Sequence, residues 1–413
     1  MPPVIIPPTS LLERRTSGVL LHLTSLPGPH GIGDFGPSAF HFIDWLAAAQ
    51  QSIWQWLPTT PIGPGDSPYQ SVSAFAGSPL MVALEPLIER GWLQVPDLTT
   101  LKFSDYKVNY SQVAPWRIAQ LRMAFEGFVN CATIDEMVEF AAWKDEQRYW
   151  LDDYTLFMAL EAAHPGLFWW QWPDKLRARD PVAIDAVRNE YEQEISFWYF
   201  VQWCFDTQCN AVKLYANSKG IALLGDLPIF VAHHSADCWA RPDLYWLDKN
   251  YLPTVVAGVP PDAMAAQGQR WGNPLYRWEA MATDGFAWWI SRVRRLLGQV
   301  DSFRIDHFRG FAAYWEIPQS CVTAMEGHWI EAPGTALFEA IHCELGSVAI
   351  VAEDLGTITP DVVALREDCG FPGMKILQFA FSGDATHDYL PHNFRADCVV
   401  YPGTHDNDTL LGW

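Results

Sequence analysis

The sequence predicts an α/β fold: a (β/α)8 TIM barrel carrying large insertions. Three observations point there. Seven apolar, β-prone runs, at residues 18–25, 53–57, 221–225, 300–305, 348–352, 374–381 and 398–402, read as buried strands. Over the last third of the chain these runs alternate with stretches of helical periodicity, the pattern of a parallel sheet. Three late runs end in acids, in the order Arg304-Ile305-Asp306, Ala352-Glu353-Asp354 and Thr404-His405-Asp406. Acids at the carboxyl ends of several strands favour a closed barrel over an open sheet. The chain reaches Trp413 before an eighth strand, so a piece of a longer protein is expected.

The elements follow in order. The first strand, 18–25, leads through a Gly/Pro loop to a helix over 38–50, with Phe42, Trp45 and Leu46 at helical spacing. The second, 53–57, precedes a loop rich in Pro, Gly and Ser at 58–69. From about 79 to 220, apolar residues recur three and four apart through 113–128, 134–143, 149–163 and 187–218, which predicts a mostly helical insertion. The third strand, 221–225, ends at Asp226. Residues 243–279 are rich in Pro and Gly and read as irregular, within a second insertion at about 228–280. A helix over 286–297 stops at Gly298, and another covers 335–345. Thr359 caps a helix that has Pro360 at its first position and Gly370 at its end. The whole of 1–413 is expected to form one domain.

Composition narrows the function. A 49% hydrophobic content supports a sizeable core. The formal net charge of -21 is spread along the chain and disfavours nucleic acid or an anionic membrane as a partner. Trp is abundant at 21 residues, and ring faces that stack on sugars make a carbohydrate ligand more probable than average. The eight cysteines form no CxxC or zinc-like spacing, so they read as reduced and mostly buried. The start at 1–8 lacks the charge and apolar run of a leader, and no run is long enough to span a bilayer. A cytoplasmic enzyme of undetermined oligomeric state fits these features.

Gly31-Ile32-Gly33-Asp34-Phe35-Gly36 matches a dinucleotide fingerprint, but no acid closes the next strand, and a flexible loop is the better reading. Arg304 and Asp306 stand two apart and share a strand face, so the guanidinium is expected to hold Asp306 ionised, as a carboxylate nucleophile requires. Glu353 and Asp354 take opposite faces, and spacing leaves open which one looks into the mouth. A Glu near another carboxylate and shielded from water serves as an acid. The polar density of residues 404–408 suits sugar hydroxyls, or a turn with Asx capping. His233, His234 and Asp237 are weak metal ligands, and neither metal nor cofactor is expected.

Longer motifs extend these short ones. Leu26-Pro27, Gly31-Ile32-Gly33-Asp34, Gly65-Asp66-Ser67-Pro68-Tyr69-Gln70, Gly225-Asp226-Leu227-Pro228-Ile229 and Gly268-Gln269-Arg270-Trp271-Gly272-Asn273-Pro274 occur in order with the three acid segments. Over about 18–413 the chain resembles the amylomaltase (4-α-glucanotransferase, disproportionating enzyme) family of the α-amylase clan. The resemblance implies a retaining transfer of α-1,4-glucan segments between malto-oligosaccharides or starch. It implies that Asp306 is the nucleophile, Glu353 the general acid/base, and Asp406 a ligand of sugar hydroxyls that stabilises the transition state. Ser67, Tyr69, Asp226, Trp271, Arg304 and His405 would contact substrate, and residues 260–267 would form a lid. The family usually carries an aromatic where this chain has Met264, sometimes with its neighbour, here Ala263. The alternatives are a hydrolase of the same clan and a glucan-binding fragment without activity.

Overall fold

A computed structural model describes residues 14–98, 101–262 and 265–413. The proline-rich start and the pair Ala263 and Met264 lie outside the described residues. Eleven strands are described: β1 Gly18–Leu20, β2 Ile53–Gln55, β3 Ala222–Leu227, β4 Val255–Val259, β5 Gln269–Pro274, β6 Ser302–Ile305, β7 Ala313–Pro318, β8 His328–Glu331, β9 Ile350–Ala352, β10 Gly373–Ile376 and β11 Cys398–Tyr401. Strands β1, β2, β3, β6 and β9 form a parallel sheet in that order, and β10 and β11 form a parallel pair. The Ala352 amide donates to the Pro372 carbonyl at 2.9 Å, joining β9 to the start of β10. All seven predicted runs therefore hold a strand, and their spatial order is their chain order.

The interior explains the order. Leu20, Ile53, Leu224, Val351, Met374 and Val399 with Tyr401 pack into one apolar cluster drawn from six strands. The Tyr401 hydroxyl donates to Gln55 Oε1 at 2.7 Å, so side chains of β11 and β2 meet in the interior. A sheet whose first and last strands share an interior is curled, not flat.

Several boundaries differ from expectation. The first strand stops at Leu20, and Leu23–Ser25 is a 3-10 turn. Met374 lies in a strand that ends at Ile376, followed by 3-10 helix over Leu377–Ser382. Gly298 lies inside the helix Ala287–Gln299 and does not stop it. Thr359 stands at the cap of the helix Pro360–Asp368 but its hydroxyl accepts Arg309 Nη1 at 3.0 Å instead of a helix amide. Gly370 takes the left-handed φ of 70° that ends this helix without a Cβ clash.

The segment at 243–279 is more ordered than its Pro and Gly suggest. It contributes β4 and β5 to a four-stranded antiparallel sheet, in the order β5-β4-β7-β8. The partners β7 and β8 come from beyond β6, so local pattern does not reveal the pairing. The loop 31–36 is packed against its neighbours. Ile32 and Phe35 are buried, Phe35 donates its amide to Met81 O at 3.0 Å, and Asp34 pairs with the buried Arg117 at 2.7 Å.

The helical block holds the loop that carries Tyr69. Its longest helix, Glu192–Ser218, buries Phe200, Val201, Trp203 and Phe205. From the same helix, Gln202 clasps the amide and carbonyl of Gly77 at 2.7 and 2.8 Å, and Gln208 those of Ala83 at 2.7 and 3.0 Å. Gly77 is required there, because a Cβ would sit 2.3 Å from the Phe205 ring. Asp206 pairs bidentately with Arg295 of Ala287–Gln299, both contacts at 2.6 Å. Much of the Trp content is structural, since Trp54, Trp56, Trp169, Trp172, Trp239 and Trp289 are fully buried. Cys204, Cys209 and Cys238 are buried, Cys131 and Cys343 are exposed, and all eight thiols are free, so the expectation of mostly buried cysteines holds for three.

Candidate active site

Strand register assembles the site. Asp226 of β3 and Arg304 of β6 are direct partners across the sheet, and one residue further Leu227 partners Ile305. Arg304 is 2% exposed, and its Nε donates to Asp226 Oδ1 at 3.0 Å. Its Nη2 donates to Asp306 Oδ1 at 2.6 Å, and Nη1 lies 4.0 Å from Glu353 Oε2. One guanidinium thus faces three carboxyl groups. A planar cation with several fixed donors suits this; a lysine cannot divide itself between three acids.

Glu353 and Asp354 separate as period two requires, and their neighbours decide the faces. Asp354 turns away, accepting the Met374 amide at 2.7 Å and lying 3.3 Å from Arg366 Nε. Glu353 turns into the cleft. Its amide donates to Ile305 O at 3.0 Å, its carbonyl accepts the Phe308 amide at 3.1 Å, and its Oε2 accepts the His307 amide at 2.5 Å.

Proton affinities in the cleft are driven apart. Burial pushes Glu353 up to about 8, with the charge of Asp306 adding to it and Arg304 opposing. Burial also pushes Asp306 up, to about 6, with Arg304 opposing and Asp226 and Asp406 adding. Arg304 is expected from its spacing to hold Asp306 ionised; it does oppose the rise, but loss of water outweighs the guanidinium and the net movement is upward. The order of the two still follows exposure. The Asp306 side chain is 28% accessible and that of Glu353 15%. The higher proton affinity thus falls on the drier group, and the lower on the wetter one. Asp226 is raised by burial, against Arg304 and Tyr69.

The Tyr69 hydroxyl donates to Asp226 Oδ2 at 2.7 Å and stands 2.9 Å from His405 Nε2. The one phenolic proton goes to Asp226, so His405 Nε2 is the donor toward Tyr69. Burial lowers the affinity of His405 for a second proton, which keeps it neutral. Tyr69 and His405 rings lie nearly parallel, centroids 5.8 Å apart. Ser67 caps this turn by accepting the Tyr69 amide at 3.3 Å, which makes it a support for Tyr69. Asp406 is 69% exposed at its side chain and touches His405 Nε2 at 3.4 Å. Trp271 packs its ring against the edge of His307, centroids 4.9 Å apart, at the border of the acids.

Eight of the nine sequence-predicted residues are thus joined by direct contacts or through His307, and Ser67 joins through Tyr69. His307 was not among them. Nothing in a sequence marks its left-handed backbone, although histidine is one of the residue types enriched there. His233, His234 and Asp237 do not converge: His233 binds Tyr251 O at 2.8 Å, His234 meets Glu161 at 2.5 Å, and Asp237 accepts the Ala74 amide at 2.8 Å. Among the described residues one group, His30, Asp34 and Glu85, has metal-like spacing, but both Asp34 oxygens are taken, by Gly36 N and Arg117.

A cleft over a parallel sheet, with two carboxyl groups of split proton affinity anchored on one arginine, has the construction of a glycoside-processing site. Comparison with known proteins agrees. Residues 21–413 match the family described as 4-alpha-glucanotransferase, glycoside hydrolase 77. The chain is 50% identical over 401 residues to the 4-alpha-glucanotransferase of Thermus thermophilus, covering 97% of this chain and 80% of that one. It is 42% identical over 406 residues to the chloroplastic/amyloplastic 4-alpha-glucanotransferase of Solanum tuberosum, covering 97% of this chain and 70% of that one. Among solved structures, an amylomaltase from Streptococcus agalactiae in complex with acarbose aligns with a TM-score of 0.92 at 37% identity, over 97% of this chain and 81% of that one. This chain belongs to the 4-alpha-glucanotransferase family.

Proposed function

We propose that this protein transfers α-1,4-glucan segments between malto-oligosaccharides or starch by a retaining double displacement. The observation that carries the reading is a pair of acids at the ends of the adjacent strands β6 and β9 that share one buried arginine, Asp306 at 2.6 Å and Glu353 at 4.0 Å; burial raises the proton affinity of both, Glu353 the further. The ionised Asp306 attacks the anomeric carbon while Glu353 gives its proton to the departing glycosidic oxygen. The glycosyl–Asp306 ester forms as the first glucan fragment leaves. Glu353, now a carboxylate, takes the proton of an acceptor 4-hydroxyl, whose oxygen displaces Asp306 and restores the α configuration. A retaining reaction calls for carboxyl groups roughly 5–5.5 Å apart. Asp406, set on an exposed loop beside His405, binds the sugar hydroxyls and stabilises the charge developing on the ring. Tyr69 offers a ring face to the sugar, with Ser67, Asp226, Arg304 and His405 around it, and Trp271 lines the adjoining subsite.

The same reading extends to architecture. The seven parallel strands are consecutive strands of a (β/α)8 barrel, supported by their order and shared interior. The helical block at about 79–220 is an insertion after the second strand, and residues 228–280 are an insertion after the third that bears a lid over the glucan. A cytoplasmic setting accords with eight free thiols, and among the described residues no helix is long and apolar enough to cross a membrane.

Incubation with maltotriose tests the function. Glucose with longer oligomers at constant reducing ends is the expected result. A net rise in reducing ends would make the protein a hydrolase, and binding without products would make it a glucan-binding scaffold.

A further inference from the structure

The backbone at residue 307 is unusual in two ways that meet at one point. His307 has φ 51° and ψ 52°, the left-handed region that a residue with a Cβ enters only against steric resistance. The two successive amides that this turn presents are both aimed at one residue. The His307 amide donates to Glu353 Oε2 at 2.5 Å and the Phe308 amide to the Glu353 carbonyl at 3.1 Å. The Glu353 amide in return donates to Ile305 O at 3.0 Å. The turn is held from behind: Arg309 Nη1 donates to Thr357 O at 2.7 Å and to Thr359 Oγ1 at 3.0 Å, with its guanidinium stacked 3.7 Å from the Trp329 ring centroid. A non-glycine residue kept in a strained backbone state beside a reacting group is a reason to look for a function of that state.

We infer that His307 is a positioning residue through its main chain: its left-handed turn aims its amide at Glu353 Oε2, leaving Oε1 as the oxygen that carries the catalytic proton into the cleft. This rests on the reading of Glu353 as the general acid/base. An N–H held against Oε2 excludes a proton from that oxygen's amide-facing lone pair, so the neutral acid presents Oε1–H to the glycosidic oxygen. Once that proton has moved to the leaving group, the same N–H stabilises the carboxylate. The bond thus opposes burial and the charge of Asp306, and it holds the proton affinity of Glu353 within working range. Other groups that act on Glu353 are Arg304 and Asp306 from β6, Asp226 from β3, and the Tyr389 phenol, itself pushed up to about 12 and neutral.

Backbone-directed substitutions test this against a role for the imidazole. His307→Gly and His307→Asn tolerate the left-handed region; His307→Val does not. With H307V the alkaline limb of kcat against pH is expected to rise by about one pH unit, because the lost N–H favoured the ionised form. Its kcat should fall on the order of tenfold or more as the acid loses its aim. In H307G and H307N the limb should stay in place while KM rises, since the imidazole edge against Trp271 is lost. Circular dichroism and melting temperature establish that each variant is folded, and His307→Ala replaces H307V where the latter does not fold. An unmoved limb in the folded β-branched or Ala variant overturns the inference, as does an equal shift in H307G. Glu353→Gln separates this from the underlying reading. If E353Q keeps the alkaline limb, Glu353 is not the acid. If E353Q abolishes the limb and H307V leaves it where it was, only the amide's role fails.

Discussion

Asp306 and Glu353 leave strands that are bonded on both sides, β6 between β3 and β9, and β9 between β6 and the start of β10. Asp406 leaves β11, which is laddered to β10, and it stands on a loop five residues past the strand end. The first two are fixed by an arginine at 2.6 Å and a backbone amide at 2.5 Å, with side chains 28% and 15% accessible. The side chain of the third meets His405 at 3.4 Å and is 69% accessible, and its amide donates to Thr404 Oγ1 at 3.4 Å. In the proposed mechanism the difference divides the labour. Groups that are to exchange protons and form bonds need a set distance and a set dryness, which neighbouring strands impose; a group that is to read sugar hydroxyls would complete its own geometry on the ligand, and ordering it would then draw on binding energy.

Replacing each acid in turn sharpens or breaks this contrast. The largest effect belongs to Asp306→Asn, which should lower disproportionation of maltotriose on the order of 10⁴-fold or more with the melting temperature preserved. Loss of the fold along with activity would mean that Asp306 holds the cleft together and does not act in it. Next comes Glu353→Gln, with a loss on the order of 10²–10⁴-fold. The wild-type kcat/KM profile should be a bell. It rises as Asp306 ionises, near about 6, and falls as Glu353 loses its proton, near about 8. E353Q should keep the rise and lose the fall.

A smaller loss, roughly 10²-fold, is expected of Asp406→Asn, the equivalent of about 3 kcal/mol of hydrogen bonding to sugar hydroxyls. The charge of Asp406 raises the proton affinity of Asp306, so D406N should also move the acid limb to lower pH. An unmoved limb would place Asp406 out of electrostatic reach of the pair. The smallest effect is on stability. Folding raises Glu353 above its ordinary 4.5, so its contribution is fully present below that value and is lost as pH rises through about 8. The melting temperature of E353Q should therefore gain on wild type by a few degrees between about pH 5 and about pH 8. A constant difference would show that Glu353 is not buried in its neutral form.

How much was legible differs by element. The strands β3, β6 and β9 are enclosed on both faces, so β9 is an unbroken apolar run and β3 and β6 are mostly apolar runs broken by the buried polar residues Asp226, Ser302 and Arg304. The Arg304–Asp306 pairing followed from a spacing of two. The sheet of β4, β5, β7 and β8 was hidden because its strands are drawn from segments on either side of β6, and β5 and β8 are largely exposed or half-exposed. The choice of Glu353 over Asp354 came from family resemblance, since alternation divides the two without naming the inner one.

By itself, then, the sequence determined the number and order of the parallel strands, the acids at their ends and the family to which the chain belongs. Each of these is written in local runs or in motifs. The tertiary structure alone decided the direction in which burial moves Asp306 and the turn at His307 that grips Glu353, and it alone gave the physical reason why Glu353 and not Asp354 faces the cleft. These depend on dryness, on charge and on donors brought in from other strands, and such neighbours exist only after the chain has folded.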